Sequence, residues 1–218
     1  MLEVNEEFVG ADDGEPEIDL EDAAFTWGFR VKDTPQNKMQ VKLELEEVQE
    51  PTIKNLSFKM KKGDMMLVAG RVGTGKTTLL HALMREIKTV AGKASIKGSI
   101  AYVEQEPFIF SASVKENVAF GLEFDQARFD YAIKASQLEE DVNNNFSNGA
   151  DTIIGERGIN VSGGQKARIS LARAVYMNAD IILLDDPLSA VDPAVANEIF
   201  DKCIKGALKN KIVVLVTH

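Results

Sequence analysis

Apolar residues recur along this chain with two different periods, and the places where the period changes mark out its elements. Residues 18–26 read as a first edge strand ending at Trp27, and residues 51–60 as another before a turn at Lys61-Lys62-Gly63-Asp64. Short apolar runs at 65–69, 99–103, 181–184 and 211–216 read as strands, the third being of the unbroken kind that fills a parallel sheet. A further strand is expected at 93–96, between turns at 89–92 and 97–98. The period lengthens to that of a helix at 78–84, 113–118, 125–137 and 162–176. In the last of these, Ala167, Leu171, Ala174 and Val175 form one stripe. Asp192 and Pro193 are an N-cap and first-turn pair for one more helix, with Gly206 its expected stop, and residues 143–149 read as a loop. Strands alternating with helices predict an α/β domain on a mostly parallel sheet.

Two stretches do not fit either period. Residues 1–16 are acidic and hold no lysine or arginine, so they read as a linker or arm kept loose by its own repulsion. Residues 28–50 are polar and mixed in charge, and read as a flexible insertion with one short strand at 39–43.

Composition narrows the function classes. The 218 residues carry a formal net charge of −9, which argues against nucleic acid as a partner. One cysteine, Cys203, excludes an internal disulfide and a cysteine zinc cage, and two histidines, His81 and His218, are too few for a histidine metal site. Cys203 falls at helical spacing with Ile199 and reads as core, and His81 reads as packing. No apolar run approaches the roughly 18 residues of a membrane span.

The chemistry concentrates at Gly70-Arg71-Val72-Gly73-Thr74-Gly75-Lys76-Thr77-Thr78, which fits G-x-x-x-x-G-K-[ST] between a predicted strand and a predicted helix. Glycines let backbone amides turn inward, and the helix N-terminus adds partial positive charge, so the loop is an anion site. Lys76 is expected to reach β- and γ-phosphates, and Thr77 to offer its hydroxyl to Mg²⁺. Asp185, ending the apolar strand, supplies a carboxylate to hold Mg²⁺ through water. Val161-Ser162-Gly163-Gly164-Gln165 can cap a helix while leaving amides open to a second anion; read alone, it is as well explained by the cap.

Taken together and in order, these motifs make the chain similar to an ATP-binding cassette (ABC) nucleotide-binding domain over residues 27–218. They are the P-loop (Walker A) at Gly70 to Thr78, Gln105, the signature Val161 to Gln165, Asp185 closing Walker B, the D-loop Ser189-Ala190-Val191-Asp192, and His218 as switch histidine. The resemblance implies a P-loop NTPase core, a RecA-like parallel sheet with flanking helices. It adds N-terminal antiparallel strands and an α-helical signature subdomain over 107–174, the whole domain occupying 17–218. It implies ATP and Mg²⁺, with Thr77, Gln105 and Asp185 at the metal, Trp27 stacked on adenine, and Gln105, Asp186 and His218 around the attacking water. It further implies head-to-tail pairing with a second nucleotide-binding domain, whose ATP would meet Ser162, Gly163 and Gly164. Transmembrane domains of the same polypeptide, and a place on the cytoplasmic face of a membrane, follow from the same resemblance. So does a continuation of the domain beyond His218, the acidic start following a membrane domain.

One departure matters. Family members that hydrolyse ATP well carry Glu after the Walker B Asp, and this chain has Asp186. The side chain is one methylene shorter, about 1.5 Å of reach, so slow turnover is expected at this domain's own P-loop. Together with Asp185 to Asp192, this resembles the first nucleotide-binding domain of the subfamily C, multidrug-resistance-associated exporters. A nucleotide-gated regulatory domain of the same subfamily and a soluble ABC ATPase are the alternative readings.

Overall fold

The computed structural model describes residues 14–31, 45–47 and 50–218. Strand β1 (Glu17–Thr26) is followed by a ribbon of β2 (Phe29–Val31) and β3 (Leu45–Glu47), paired antiparallel with Phe29 opposite Glu47. The ends of the 28–50 segment are thus strands; the strand expected at 39–43, and most of the acidic arm, lie outside the described residues. β4 (Ile53–Lys61) and β5 (Met65–Ala69) lead into α1 (Lys76–Leu83), then β6 (Lys88–Lys97) and β7 (Ile100–Val103). A mainly helical stretch comprises β8 (Ala112–Ser113), α2 (Val114–Ala119), α3 (Gln126–Ala135), β9 (Ile153–Ile154) and α4 (Gly163–Met177). β10 (Ile181–Asp185), α5 (Pro193–Ile199) and β11 (Ile212–Thr217) close the chain.

Two sheets organise these elements. The central one is parallel with the order β5-β11-β10-β7, and the other is antiparallel with the order β4-β1-β6. β10 is buried at all five positions, and its alternation splits the core: Ile181 and Leu183 join one cluster, Ile182 and Leu184 the other. The first cluster packs α1 and the antiparallel sheet, the second packs α2, α3 and α4. This is the α/β architecture of a P-loop NTPase, with antiparallel strands on one side and helices on the other.

Several local expectations are corrected. β1 is the middle strand of its sheet rather than an edge, because it bonds to β4 on one side and to β6 on the other. The turn expected at 89–92 is absorbed into β6 as a bulge opposite β1. Gly92 makes this possible: its φ is +70°, and a Cβ there would stand 2.3 Å from the Asp22 carbonyl oxygen. The loop expected at 143–149 begins as a π-helical turn, Asp141–Asn145. Gly206 does not stop the helix begun at Pro193, which runs on through a π-helical stretch, Phe200–Ala207. Cys203 is fully buried, and burial pushes its thiol up to about 12.

Candidate functional site

The loop between β5 and α1 needs unusual backbone. Gly73 and Gly75 have φ of +81° and +88°, a left-handed region that costs side-chain-bearing residues strain, and Gly75 is the N-cap of α1. Thr74 Oγ1 donates to the Arg71 carbonyl at 2.9 Å and closes the turn. Val72, at the tip, is 85% exposed.

Parallel register then gathers the other residues. β5, β11, β10 and β7 run side by side, so their C-terminal ends deliver the P-loop, His218, Asp185 and Gln105 to one rim, as open α/β sheets do. A cavity of about 390 Å³ is lined by residues 72–78 together with Thr52, Gln105, Asp185 and His218. Gln105 also lines a second cavity of about 540 Å³ with Gly163, Lys166 and Ala190, so it forms a wall between the two.

Inside the first cavity the charges are already engaged. Lys76 is buried, and its Nζ donates to the carbonyls of Gly70 at 2.6 Å and Arg71 at 3.0 Å. It also lies 3.2 Å from His218 Nδ1. Lysine has no acceptor, so Nδ1 must accept, which leaves Nε2 to donate to Asp186 Oδ2 at 3.2 Å. Asp186 sits at φ +48°, in the left-handed region that Asp tolerates better than most residues. Its amide donates to the Val216 carbonyl at 3.0 Å, and its own carbonyl accepts from Ser189 N–H and Oγ. The start of the D-loop is therefore tied to Asp186.

Asp185 is buried, and Tyr102 donates to its Oδ2 at 3.3 Å. Burial, then the Asp185 carboxylate, push the Tyr102 phenol above its usual range, so it remains a donor. In the sequence, Tyr102 reads only as a residue of the strand at 99–103. The signal was available in the β7–β10 register, which sets Tyr102 opposite Leu183, two residues from Asp185, but only once the sheet order is known. Trp27 is 48% exposed, and its ring centroid lies 5.2 Å from that of His81 on α1. His81 in turn stands 6.1 Å from the Tyr102 ring and holds Glu86 through Nδ1 at 2.5 Å.

The signature lies apart from the P-loop cavity. Ser162 caps α4 in a reciprocal box: its Oγ accepts from Gln165 N–H at 3.2 Å, and Gln165 Oε1 accepts from Ser162 N–H at 2.8 Å. Val161 packs on the second core cluster. A Cβ on Gly164 would stand 3.2 Å from the Ala190 carbonyl oxygen, so this glycine serves close packing against the D-loop as well as open amides. Asp192 caps α5 through Ala194 N–H at 2.9 Å.

Oxygen donors dominate what could meet a cation. Thr77, Gln105 and Asp185 share the first cavity, and among the described residues no three or more His, Cys, Asp or Glu side chains are grouped so that they could hold a metal ion. One carboxylate, one hydroxyl and one amide oxygen suit Mg²⁺, which takes hard oxygen ligands and keeps several waters. They do not suit a zinc cage.

The ABC transporter family model matches residues 53–189. The chain is 48% identical over 168 residues to ATP-binding cassette sub-family C member 4 of Mus musculus, covering 77% of this chain and 13% of that protein. It is 41% identical over 212 residues to ABC transporter C family member 9 of Arabidopsis thaliana, covering 97% of this chain and 13% of that protein. Against ABC transporter C family member 12 of Dictyostelium discoideum it is 48% identical over 166 residues, 76% of this chain and 12% of that one. The chain thus spans about an eighth of the length of these relatives.

Proposed function

The chain belongs to the ABC transporter family as one of its ATP-binding domains, and on that premise we propose that it is the motor domain of a subfamily C exporter. In this reading it pairs head to tail with a second nucleotide-binding domain and works at the cytoplasmic face of a membrane, against transmembrane domains of the same polypeptide. The observation that carries the reading is the convergence of Lys76, Thr77, Gln105, Asp185 and His218 on one cavity at the strand ends.

The amides of residues 73–78 receive the phosphates of ATP, with Lys76 turning its ammonium from the Gly70 and Arg71 carbonyls to β- and γ-oxygens. Thr77, Gln105 and Asp185 would hold Mg²⁺ there, and Tyr102 fixes the Asp185 carboxylate. The chemistry supplied by Mg²⁺ held there would be positive charge to offset the negative charge that develops on the phosphates. Trp27 stacks on adenine. Asp186 is the base for the attacking water, and His218 holds the γ-phosphate and that water in line.

Asp186 makes this domain's own site slow. Its carboxylate falls about one methylene short of a glutamate, and a misplacement of about 1 Å costs on the order of 10²-fold in rate. The signature at Val161 to Gln165 completes the partner's site, which is the active one. A second reading, a nucleotide-gated regulatory domain of the same subfamily, is favoured by the Asp186–His218 contact, which occupies the base.

MgATP binding to the chain, followed by light scattering with the partner domain, tests the proposal. ATP-dependent association that is lost in Lys76→Ala supports it. A chain that does not bind MgATP, or that binds it without pairing, would sink the motor reading. Gating of a partner by nucleotide binding without hydrolysis at either site would favour the regulator.

A further inference from the structure

Among the described residues three carboxylates are buried, Asp185, Asp186 and Asp141, and Asp141 is the one that stands away from the phosphate cavity. It opens the π-helical turn after α3 and is 3% exposed. Its Oδ1 accepts from Gln165 Nε2 at 2.8 Å and from Asn145 Nδ2 at 3.2 Å. Its Oδ2 accepts no hydrogen bond and is compensated by the guanidinium of Arg168, whose Nη2 is 2.9 Å away. Arg168 in turn donates to the carbonyls of Gln137 at 2.9 Å and Gly164 at 3.3 Å.

An amide has one accepting end and one donating end. Because Asp141 takes the Nε2 of Gln165, the Oε1 of that amide must face the other way, toward Ser162 N–H, where it is found at 2.8 Å. We infer that Asp141 is a positioning residue for the signature: it sets the direction of the Gln165 amide and so holds the capping box that presents the exposed Ser162 and Gly163. Arg168 completes the clamp by holding the carbonyl of Gly164 to the turn beneath it. The inference deepens, and rests on, the reading of Val161 to Gln165 as the site for the partner's ATP.

The substitution Asp141→Asn leaves a side chain that cannot do both jobs. With its oxygen toward Arg168, its NH₂ meets the Gln165 NH₂; with its oxygen toward Gln165, its NH₂ meets a buried guanidinium. The first arrangement is the less costly, and it turns the Gln165 amide over, setting donor against donor at Ser162 N–H. The second substitution, Gln165→Glu, supplies a carboxylate that accepts on both ends. It takes the NH₂ introduced by Asp141→Asn and the Ser162 N–H together, and keeps a negative charge beside Arg168.

Amide hydrogen exchange on the whole chain tests this directly. In Asp141→Asn, the Ser162 amide is expected to exchange roughly tenfold faster, the loss of its one hydrogen bond to Gln165 Oε1. Amides of β10 and β11 keep their protection. Adding Gln165→Glu restores protection at Ser162, whereas Gln165→Glu alone sets two carboxylates face to face and does not. Should Asp141→Asn fail to fold, the comparison of Gln165→Glu with the double variant still decides. Continued protection of Ser162 in Asp141→Asn, or faster exchange in the double variant than in Gln165→Glu alone, overturns the inference. MgATP-driven pairing with the partner domain is expected to weaken in Asp141→Asn while MgATP binding at the P-loop is unchanged. If exchange behaves as expected but the wild-type chain shows no such pairing, the partner-site reading fails and the positioning role of Asp141 stands.

Discussion

Asp186 Oδ2 lies 3.2 Å from His218 Nε2, so the carboxylate proposed as base and the histidine proposed for the γ-phosphate bond to each other across the ends of β10 and β11. Asp186→Glu is expected to carry the carboxylate past the histidine and raise single-turnover hydrolysis at this P-loop by about tenfold to a hundredfold. Glutamate tolerates the left-handed backbone at φ +48° less well, so folding stability should fall by roughly 1 kcal/mol or less. Turnover that stays unchanged would show that side-chain reach was not the limitation.

Trp27 presents half its surface to solvent beside His81, as a stacking platform must. Trp27→Ala should weaken ATP binding by the worth of one stacked base, about 1–3 kcal/mol, or roughly fivefold to more than a hundredfold in Kd. Trp27→Phe should retain most of that affinity. Equal affinities for wild type and Trp27→Ala in a fluorescence competition assay would remove Trp27 from the site.

Tyr102→Phe deletes the hydroxyl on Asp185 while leaving the ring in place. Partners of metal ligands are commonly worth about tenfold or more in metal affinity. The Mg²⁺ concentration for half-maximal ATP binding is therefore expected to rise by about tenfold, with little change in nucleotide affinity measured without metal. An unshifted Mg²⁺ titration would mean that Asp185 needs no such support.

Gly92→Ala would force a side chain into the bulge where β6 crosses Asp22, with its Cβ 2.3 Å from a carbonyl oxygen that belongs to backbone and cannot swing aside. Strain of this kind should destabilise the fold by about 2–4 kcal/mol in denaturant titration. ATP affinity of the folded fraction should not move, since the bulge lies outside the P-loop cavity.

Ser99 supplies a pH-dependent brace. Its hydroxyl at 2.7 Å and its amide at 2.9 Å both donate to Asp180 Oδ2, and these bonds hold the carboxyl below its usual range. A depressed folded-state value stabilises the fold above the unfolded carboxyl value of about 3.9, and that stability is lost as pH falls through the folded value. Ser99→Ala should flatten the acid limb of stability against pH while leaving neutral-pH ATP binding intact. A limb as steep as wild type would assign the acid transition to other groups.

Much of this was legible in the chain itself. The P-loop, Asp185, the N-cap at Ser162 and the Asp192-Pro193 start are local features, set by residues within a few positions of one another, and each stands where local chemistry puts it. What could not be read depends on partners far along the chain. β1 looks like an edge until β4 and β6 are known to flank it, and the turn at Gly92 becomes a bulge only because β1 lies opposite. The same holds for Asp141, whose partner Arg168 is contributed by another element, and for Tyr102, placed on Asp185 by sheet order.

The ammonium of Lys76 already faces three acceptors, two carbonyls and an imidazole nitrogen, as many as it has protons. On the proposed reading, arrival of a triphosphate would therefore be a swap of ligands on one cation rather than the filling of a bare charge. The affinity would then be set by the difference between the bonds that Lys76 gives up and the stronger ones it makes to phosphate. On that same reading, releasing Lys76 would also free His218 Nδ1, while Nε2 keeps the imidazole tied to Asp186. In the proposed function, one side chain thereby links occupancy of the loop to the hydrogen bonding of the histidine.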